Sequence, residues 1–139
     1  MEEQLKLDNQ LCFPLYSCAR KIVASYTPHL KPYGITYTQY IVFLVLWEHG
    51  DSNVSFLSEK LYLDSGTLTP LLKKLEKNGY VNRNRDPKDE RNVIISLTKK
   101  GKDLKNELKD MPFKVGKGVS LTLDEVLELR RLLKKYLGE

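Results

Sequence analysis

Residues 61–98 read LYLDSGTLTPLLKKLEKNGYVNRNRDPKDERNVIISLT, and the fold class can be inferred from this segment. Leucines at positions 68, 71, 72 and 75 have the spacing of one apolar stripe along a helix. Asp64 or Ser65 can cap the start of this helix, and Gly79 suits its end. Because proline is best tolerated in a first turn, Pro70 predicts a start nearer Thr67 than Asp64.

The residues after this helix alternate in character at the period of a β-strand. Val81, Arg83 and Arg85 alternate with asparagines, and residues 92–98 form a second apolar alternation after the charged turn DPKDER. A helix with a polar, lysine-bearing face followed by a basic hairpin is typical of a winged helix-turn-helix. In such domains the helix enters the major groove of DNA and the hairpin tip reaches the minor groove or the phosphates.

The same stretch resembles the core of the MarR family of bacterial transcriptional regulators. Asp89-Glu90-Arg91, with Leu97-Thr98 after it, matches the D-x-R signature of that family's wing. Residues two apart in an extended segment lie on one side, so the Asp89 carboxylate can hold the Arg91 guanidinium in a fixed pose. A narrow, electronegative minor groove favours such an arginine. The alternative is a solvated hairpin tip whose charges only maintain solubility.

The residues predicted to contact DNA are the hydroxyl and basic side chains of this helix and wing. We expect the helix to use Ser65, Thr67, Thr69, Lys73 and Lys74, with the threonines and lysines in the major groove. We expect Arg91, oriented by Asp89, to enter the minor groove, and Arg83, Arg85 and Lys88 to lie nearer the phosphates.

Length and composition are those of a single globular domain. The chain has 139 residues, 41% apolar and 29% charged, and a net charge of +5 that suits a polyanionic partner. No apolar run approaches the roughly 20 residues of a membrane span, and the acidic MEEQ start is unlike a signal peptide. Two cysteines without a paired framework indicate a reducing cytosol. We therefore expect a cytoplasmic protein that does not contact membranes.

The remaining segments predict a mainly α (α+β) fold. One domain over residues 1–139 would have a helix-turn-helix at about 55–79 and a wing at about 80–98. A central core helix at 37–49 is capped by Thr36 and Gln39, and residues 51–53 form a turn. Helices at about 8–28 and 99–137 carry apolar stripes outside this compact region, so they would expose apolar surface. We expect them to form a homodimer that binds a pseudo-palindromic double-stranded operator.

A second resemblance concerns residues 8–40, DNQLCFPLYSCARKIVASYTPHLKPYGITYTQY. This segment is similar to the OhrR-type peroxide sensors of the MarR family and their Sar-type relatives. The resemblance implies that Cys12 reacts with organic hydroperoxides and that Tyr26 and Tyr37 hydrogen-bond its sulfur. The chemistry agrees, because a helix start and phenolic donors both stabilise the reactive thiolate. The alternative is that Cys12 is a small buried hydrophobe.

Helix geometry makes this sensor a property of a dimer. Cys12 and Tyr26 are fourteen residues apart on one predicted helix, which is roughly 21 Å along its axis. A sulfur–tyrosine contact must therefore come from the second subunit. Cys18 lies on the apolar stripe with Leu11, Leu15, Ile22 and Tyr26, so we expect it in the core.

The chain resembles the one-cysteine type of sensor, because no cysteine follows residue 18. Oxidised Cys12 would then stop at sulfenic acid, form a mixed disulfide with a low-molecular-weight thiol, or overoxidise. We expect the adduct to disturb the dimer and release a repressor from its operator.

Two other functions compete with this interpretation. A MarR-type regulator can instead be released from DNA by a small phenolic ligand, and such a protein would respond equally without Cys12. An enzyme is disfavoured, because the two histidines, His29 and His49, lie on different segments and no metal, cofactor or phosphate-loop motif is present. A dimerisation protein with a degenerate wing would lack the basic residues that this chain retains.

Overall fold

The computed structural model describes residues 2–139 and has the predicted winged-helix architecture. Its elements are α1 (Cys12–Leu30), α2 (Tyr37–His49), β1 (Ser52–Asn53), α3 (Val54–Leu61), α4 (Ser65–Lys77), β2 (Val81–Asp86), β3 (Asp89–Leu97), α5 (Lys99–Leu108), α6 (Met111–Gly116) and α7 (Leu123–Tyr136). Short 3₁₀ turns precede α1 and connect it to α2. No helix in the described part of the chain has both the length and the apolar character needed to cross a bilayer.

Helix α2 is the centre of the core, as its apolar sequence predicts. Tyr40, Val42, Phe43 and Leu46 are buried on it. The predicted capping box is present: the Thr36 hydroxyl accepts a hydrogen bond from the Gln39 backbone N–H at 3.3 Å, and the Gln39 side chain accepts one from the Thr36 N–H at 2.9 Å. These bonds satisfy donors that a helix start otherwise leaves unpaired.

The three strands form an antiparallel sheet in the order β1-β3-β2. Strand β1 was not predicted: residues 51–53 were expected to be a turn, but Ser52 pairs with Ile95 and Asn53 with Ile94. Two residues are too short to show strand periodicity, and their pairing depends on an edge of β3 that only the folded chain supplies. Strand β3 also begins three residues earlier than predicted, at Asp89.

The start of α4 differs from the prediction based on Pro70. The helix begins at Ser65, and the side chain of Asp64 accepts a hydrogen bond from the backbone N–H of Thr67 at 2.7 Å. Pro70 deprives only the carbonyl group of Gly66 of its helical donor, and Gly66 is exposed to water. The cap therefore outweighs the cost of a proline one turn further along.

Helix α1 is shifted toward the C-terminus relative to the predicted 8–28. It begins at Cys12 and continues past Pro28 to Leu30. With this start Pro14 falls in the first turn, where a missing N–H costs nothing. Residues 7–9 form a separate 3₁₀ turn instead.

A close contact joins the start of α5 to the base of the wing. A Cβ atom at Gly101 would lie 2.3 Å from the backbone oxygen of Tyr80 and 2.9 Å from a methyl group of Leu97. The Gly101 carbonyl also accepts a 3.0 Å hydrogen bond from the indole of Trp47 on α2. Glycine is needed here because the two backbones approach too closely for any side chain.

Helices α1 and α7 expose the apolar surface that the sequence predicts. No residue of α7 is buried, and Leu123, Leu127, Leu132 and Tyr136 are all exposed. Leu30 is the only buried residue of α1. Cys18 is exposed, so the expectation that it lies in the core is wrong for the single chain. In the same stripe Leu11 and Ile22 are also exposed, whereas Tyr26 packs against Tyr37 and Tyr40 of α2.

Candidate functional site

The Asp89–Arg91 pair at the wing has the geometry that the D-x-R signature predicts. Arg91 donates from Nε to Asp89 Oδ1 at 3.1 Å and from Nη2 to Oδ2 at 3.2 Å, and its backbone N–H also donates to Oδ1 at 3.2 Å. Hydrogen bonds from the Arg91 side chain and backbone hold the pKa of the Asp89 carboxyl below its ordinary value. The Arg91 side chain is nevertheless 89% exposed. The Arg91 guanidinium group is thus held in one orientation and remains open to solvent.

Helix α4 presents a polar face beside the wing. Leu68, Leu72 and Leu75 are fully buried and fix which side of the helix faces the core. The outward side carries residues from the predicted DNA-binding set: Ser65, Thr67, Lys73 and Lys74 are exposed, and Thr69 is half-buried. Hydrogen bonds from Thr67 hold the pKa of the capping Asp64 carboxyl below its ordinary value, so the carboxylate form of the cap persists in mild acid.

Two basic residues of the wing stabilise the hairpin itself. Arg85 donates from Nη1 to the backbone oxygen of Glu90 on the opposite strand at 2.8 Å. The backbone N–H of Lys88 donates to Asp86 Oδ1 at 2.9 Å and closes the turn. The Lys88 side chain is exposed. These bonds give the tip a defined shape before any partner binds.

Arg83 is turned toward α4, away from the hairpin tip. Its Nη1 lies 3.7 Å from Glu76 Oε1, its side chain is only 21% exposed, and its Nε atom is buried without a hydrogen-bond partner among residues 2–139. The predicted phosphate contact by Arg83 stays a prediction, but in this structure the side chain belongs to a helix–wing contact. Glu76 was not singled out from the sequence. The available signal was one carboxylate among the lysines of α4.

Cys12 is the first residue of α1 and is exposed as a free thiol. Cys12 thus lies in the turn of α1 whose backbone N–H groups have no partner within the helix. Tyr26 lies on the same uninterrupted helix. The structure therefore does not bring Cys12 to Tyr26 or Tyr37 within one chain, as the helical spacing predicts.

Tyr26 and Tyr37 are together in an aromatic cluster at the other end of α1. Their ring centroids are 5.0 Å apart, and Tyr40 lies 5.4 Å from Tyr26. Burial raises the pKa of Tyr26 and Tyr37, and burial together with the two neighbouring phenols raises the pKa of Tyr40 to about 12. All three phenols thus keep their protons and can donate hydrogen bonds. From the sequence, Tyr40 was predicted only to pack in the core. Its position three residues after Tyr37 on one helix was the signal that it would join this cluster.

The model of the transcriptional regulator SarA/Rot family matches residues 24–108, which is more than half of the chain. The chain belongs to this family. The predicted resemblance to MarR-type winged-helix regulators is thereby confirmed at the level of family and fold.

Individual relatives of this SarA/Rot family member extend over most of its length. The HTH-type transcriptional regulator SarZ of Staphylococcus epidermidis is 46% identical over 134 residues, covering 96% of this chain and 90% of SarZ. The organic hydroperoxide resistance transcriptional regulator of Bacillus subtilis is 49% identical over 110 residues, covering 79% and 75%. Reduced AbfR bound to DNA has a TM-score of 0.78 at 37% identity, covering 99% of this chain and all of that one; AbfR comes from S. epidermidis.

Metal ligands are not grouped in the described structure. Among residues 2–139, no three His, Cys, Asp or Glu side chains lie close enough together to hold a metal ion. The features that remain to be explained are the polar face of α4, the wing and Cys12.

Proposed function

We propose that this protein is a homodimeric repressor that binds a pseudo-palindromic operator and is released by oxidation of Cys12. The observation that carries the DNA-binding part is the exposed Arg91 guanidinium held at two points by Asp89. A mobile arginine loses side-chain entropy when it binds DNA. In the Asp89–Arg91 pair the arginine is already ordered in the folded protein, so this entropy is lost before DNA binds. Thr67, Thr69, Lys73 and Lys74 would meet base edges, while Arg85 and Lys88 would lie near phosphates.

The dimer follows from the uncovered apolar faces of α1 and α7. Leu11, Ile22, Leu127 and Leu132 are each more than two-fifths exposed. Large apolar side chains exposed on two helices indicate an interaction face. Pairing these faces across a two-fold axis would place two α4 helices at successive major grooves.

The sensor part rests on the exposure and helical position of Cys12. The Cys12 thiolate would attack the outer oxygen of an organic hydroperoxide, breaking the O–O bond to give a sulfenic acid and an alcohol. A low-molecular-weight thiol would then displace water to give a mixed disulfide. Before oxidation, Tyr26 and Tyr37 of the partner subunit would donate hydrogen bonds to the sulfur, so a bulky adduct would break contacts between the subunits.

The names of the relatives favour redox control. The B. subtilis protein is named for organic hydroperoxide resistance. AbfR has been solved on DNA in both reduced and overoxidised forms. Because an overoxidised AbfR is still seen on DNA, we propose that the mixed disulfide is the releasing form in this chain.

A second candidate is release by a small phenolic ligand. A cavity of about 320 Å³ lies between the end of α1 and the start of α2. Val23, Leu30, Ile35 and Tyr37 supply much of its lining. Its size and apolar lining suit a small aromatic molecule.

The deciding experiment measures operator binding by fluorescence anisotropy with and without an organic hydroperoxide plus a small thiol. We expect wild type to release DNA and gain one adduct on Cys12 by intact mass, while Cys12→Ser keeps its DNA. Cys18→Ser is the matched control and should behave as wild type. If Cys12→Ser also releases DNA under oxidation, the sensor assignment is wrong. If both proteins ignore peroxide and release DNA with salicylate as probe, the ligand alternative holds.

A further inference from the structure

One carboxylate links the recognition helix to the wing. Glu76 lies in the last turn of α4, and its Oε2 accepts a 3.0 Å hydrogen bond from the backbone N–H of Arg83. Its Oε1 lies 3.7 Å from Nη1 of the same arginine. Strand β2, which carries Arg83, is at the edge of the sheet because the strand order is β1-β3-β2. Glu76 therefore occupies a donor that an edge strand would otherwise leave to water.

The position of Glu76 is unfavourable for both helix stability and DNA attraction. A negative charge at a helix C-terminus opposes the macrodipole. The neighbouring exposed side chains, Lys73, Lys74 and Lys77, suit a polyanion, and a carboxylate among them weakens that attraction. The contact with Arg83 is the compensating interaction that the structure provides.

The burial of the Arg83 side chain indicates that its contact with Glu76 is specific. It is largely withdrawn from solvent, and its buried Nε atom has no partner among the described residues. Leaving such a donor unpaired is costly. The hydrogen bond from the Arg83 backbone to the Glu76 carboxylate and the ion pair between the two side chains offset that cost.

We infer that Glu76 is a positioning residue that sets the angle between α4 and the wing through Arg83. When Glu76 is present, the wing holds the Arg91 guanidinium group at a fixed distance from the polar face of α4. This inference rests on the proposed DNA binding for its functional effect. Its structural effect is independent of DNA.

The functional test is a double-mutant cycle between positions 76 and 91. In wild type we expect Arg91→Ala to weaken operator binding at least tenfold. Glu76→Ala should also weaken operator binding. Arg91→Ala made in that background should lower the affinity by less than a further threefold, because the wing no longer holds Arg91 in position. Simple removal of a negative charge predicts the opposite sign, namely tighter binding. Glu59→Ala, which removes an exposed carboxylate on α3, is the matched control and should not weaken binding.

The structural test needs no DNA and separates failure of this inference from failure of the proposed function. Backbone NMR order parameters for residues 84–91 and the exchange rate of the Arg83 amide are measured in the free protein. We expect Glu76→Ala to lower the order parameters and speed exchange, and Glu76→Gln, which keeps an acceptor oxygen, to restore most of both. Unchanged order and exchange in folded Glu76→Ala overturn the inference. If these change while Arg91→Ala leaves DNA affinity intact, the positioning role stands and the wing contact with DNA fails.

Discussion

The hydroxyl group of Tyr80, at the base of the wing, donates a 2.6 Å hydrogen bond to the backbone oxygen of Tyr33, in the turn between α1 and α2. Forty-seven residues separate the two in sequence. The bond joins the turn that follows the candidate sensor helix to the base of the candidate DNA-binding hairpin. Tyr80 is nearly fully buried, and the Lys100 ammonium group lies 4.3 Å from its ring centroid.

Tyr80→Phe should destabilise the protein by about 1 kcal/mol, the usual net value of a lost hydrogen bond, because it leaves the Tyr33 carbonyl without this donor. Urea unfolding followed by circular dichroism measures the change. The ring and its packing on Phe43 remain, so the slope of the transition should not change. A variant as stable as wild type would mean that water replaces the hydroxyl without cost.

Gly101→Ala should destabilise by about 1–3 kcal/mol or more, because the new methyl group would lie within 2.3 Å of the Tyr80 backbone oxygen and force α5 away from the wing. Thermal unfolding is the measurement. Gly116→Ala is the matched control: no atom lies within 4 Å of its added Cβ, so it should be neutral or slightly stabilising. Equal melting temperatures for the two variants would contradict the close approach.

Arg91→Lys should weaken operator binding almost as much as Arg91→Ala, by roughly tenfold in moderate salt, which corresponds to about 1.4 kcal/mol. Lysine keeps the charge but cannot form the two-point contact with Asp89. Anisotropy titrations of wild type and both variants on one operator fragment provide the measurement. A lysine variant with wild-type affinity would show that charge alone is needed at this position.

Lys88→Ala should weaken binding to operator and unrelated DNA alike, because we propose that the exposed Lys88 side chain lies near a phosphate. The slope of log affinity against log salt should then become shallower by about one. Measuring both DNAs from 50 to 200 mM salt, roughly the range over which such slopes are resolved, tests this. An unchanged slope would mean that Lys88 does not contact a phosphate.

The Asp89–Arg91 pair should survive mild acid. The pKa of Asp89 in the folded protein is below its ordinary value of 3.8, so the stabilisation is fully present above pH 3.8 and is lost as the pH falls through the lower folded pKa. An NMR titration of the Asp89 carboxyl carbon should therefore have its midpoint below 3.8 in wild type. In Arg91→Ala the midpoint should rise toward the ordinary value. Matching midpoints in the two proteins would mean that the pair does not persist in solution.

Local sequence signals predicted the elements whose causes are local. The capping box of Thr36 and Gln39, the leucine face of α4 and the Asp89–Arg91 pair all depend on residues within seven positions of one another, and all are present. The α4 start was wrong by about two residues because a side-chain cap competed with a proline and prevailed.

The features that sequence reasoning missed depend on tertiary contacts. Strand β1 depends on pairing with β3, and Arg83 contacts Glu76 on a different element. Cys18 follows the expected helical stripe, but periodicity identifies an apolar face without stating what covers it. The contacts of Cys12 with Tyr26 and Tyr37 were predicted to need a second subunit, and they stay a prediction.

Helix α1 is anchored in the core at its C-terminal end and exposed at its N-terminal end. Its nineteen residues form a rod about 28 Å long, with Leu30 as its buried residue and Cys12 exposed at the opposite end. A displacement of about 3 Å at the tip would therefore turn the rod by only about 6° at its anchor. In the proposed mechanism, a small thiol bound to Cys12 would rotate α1 slightly and so move the turn that carries Tyr33. The hydrogen bond between Tyr80 and Tyr33 would transmit this movement to the wing.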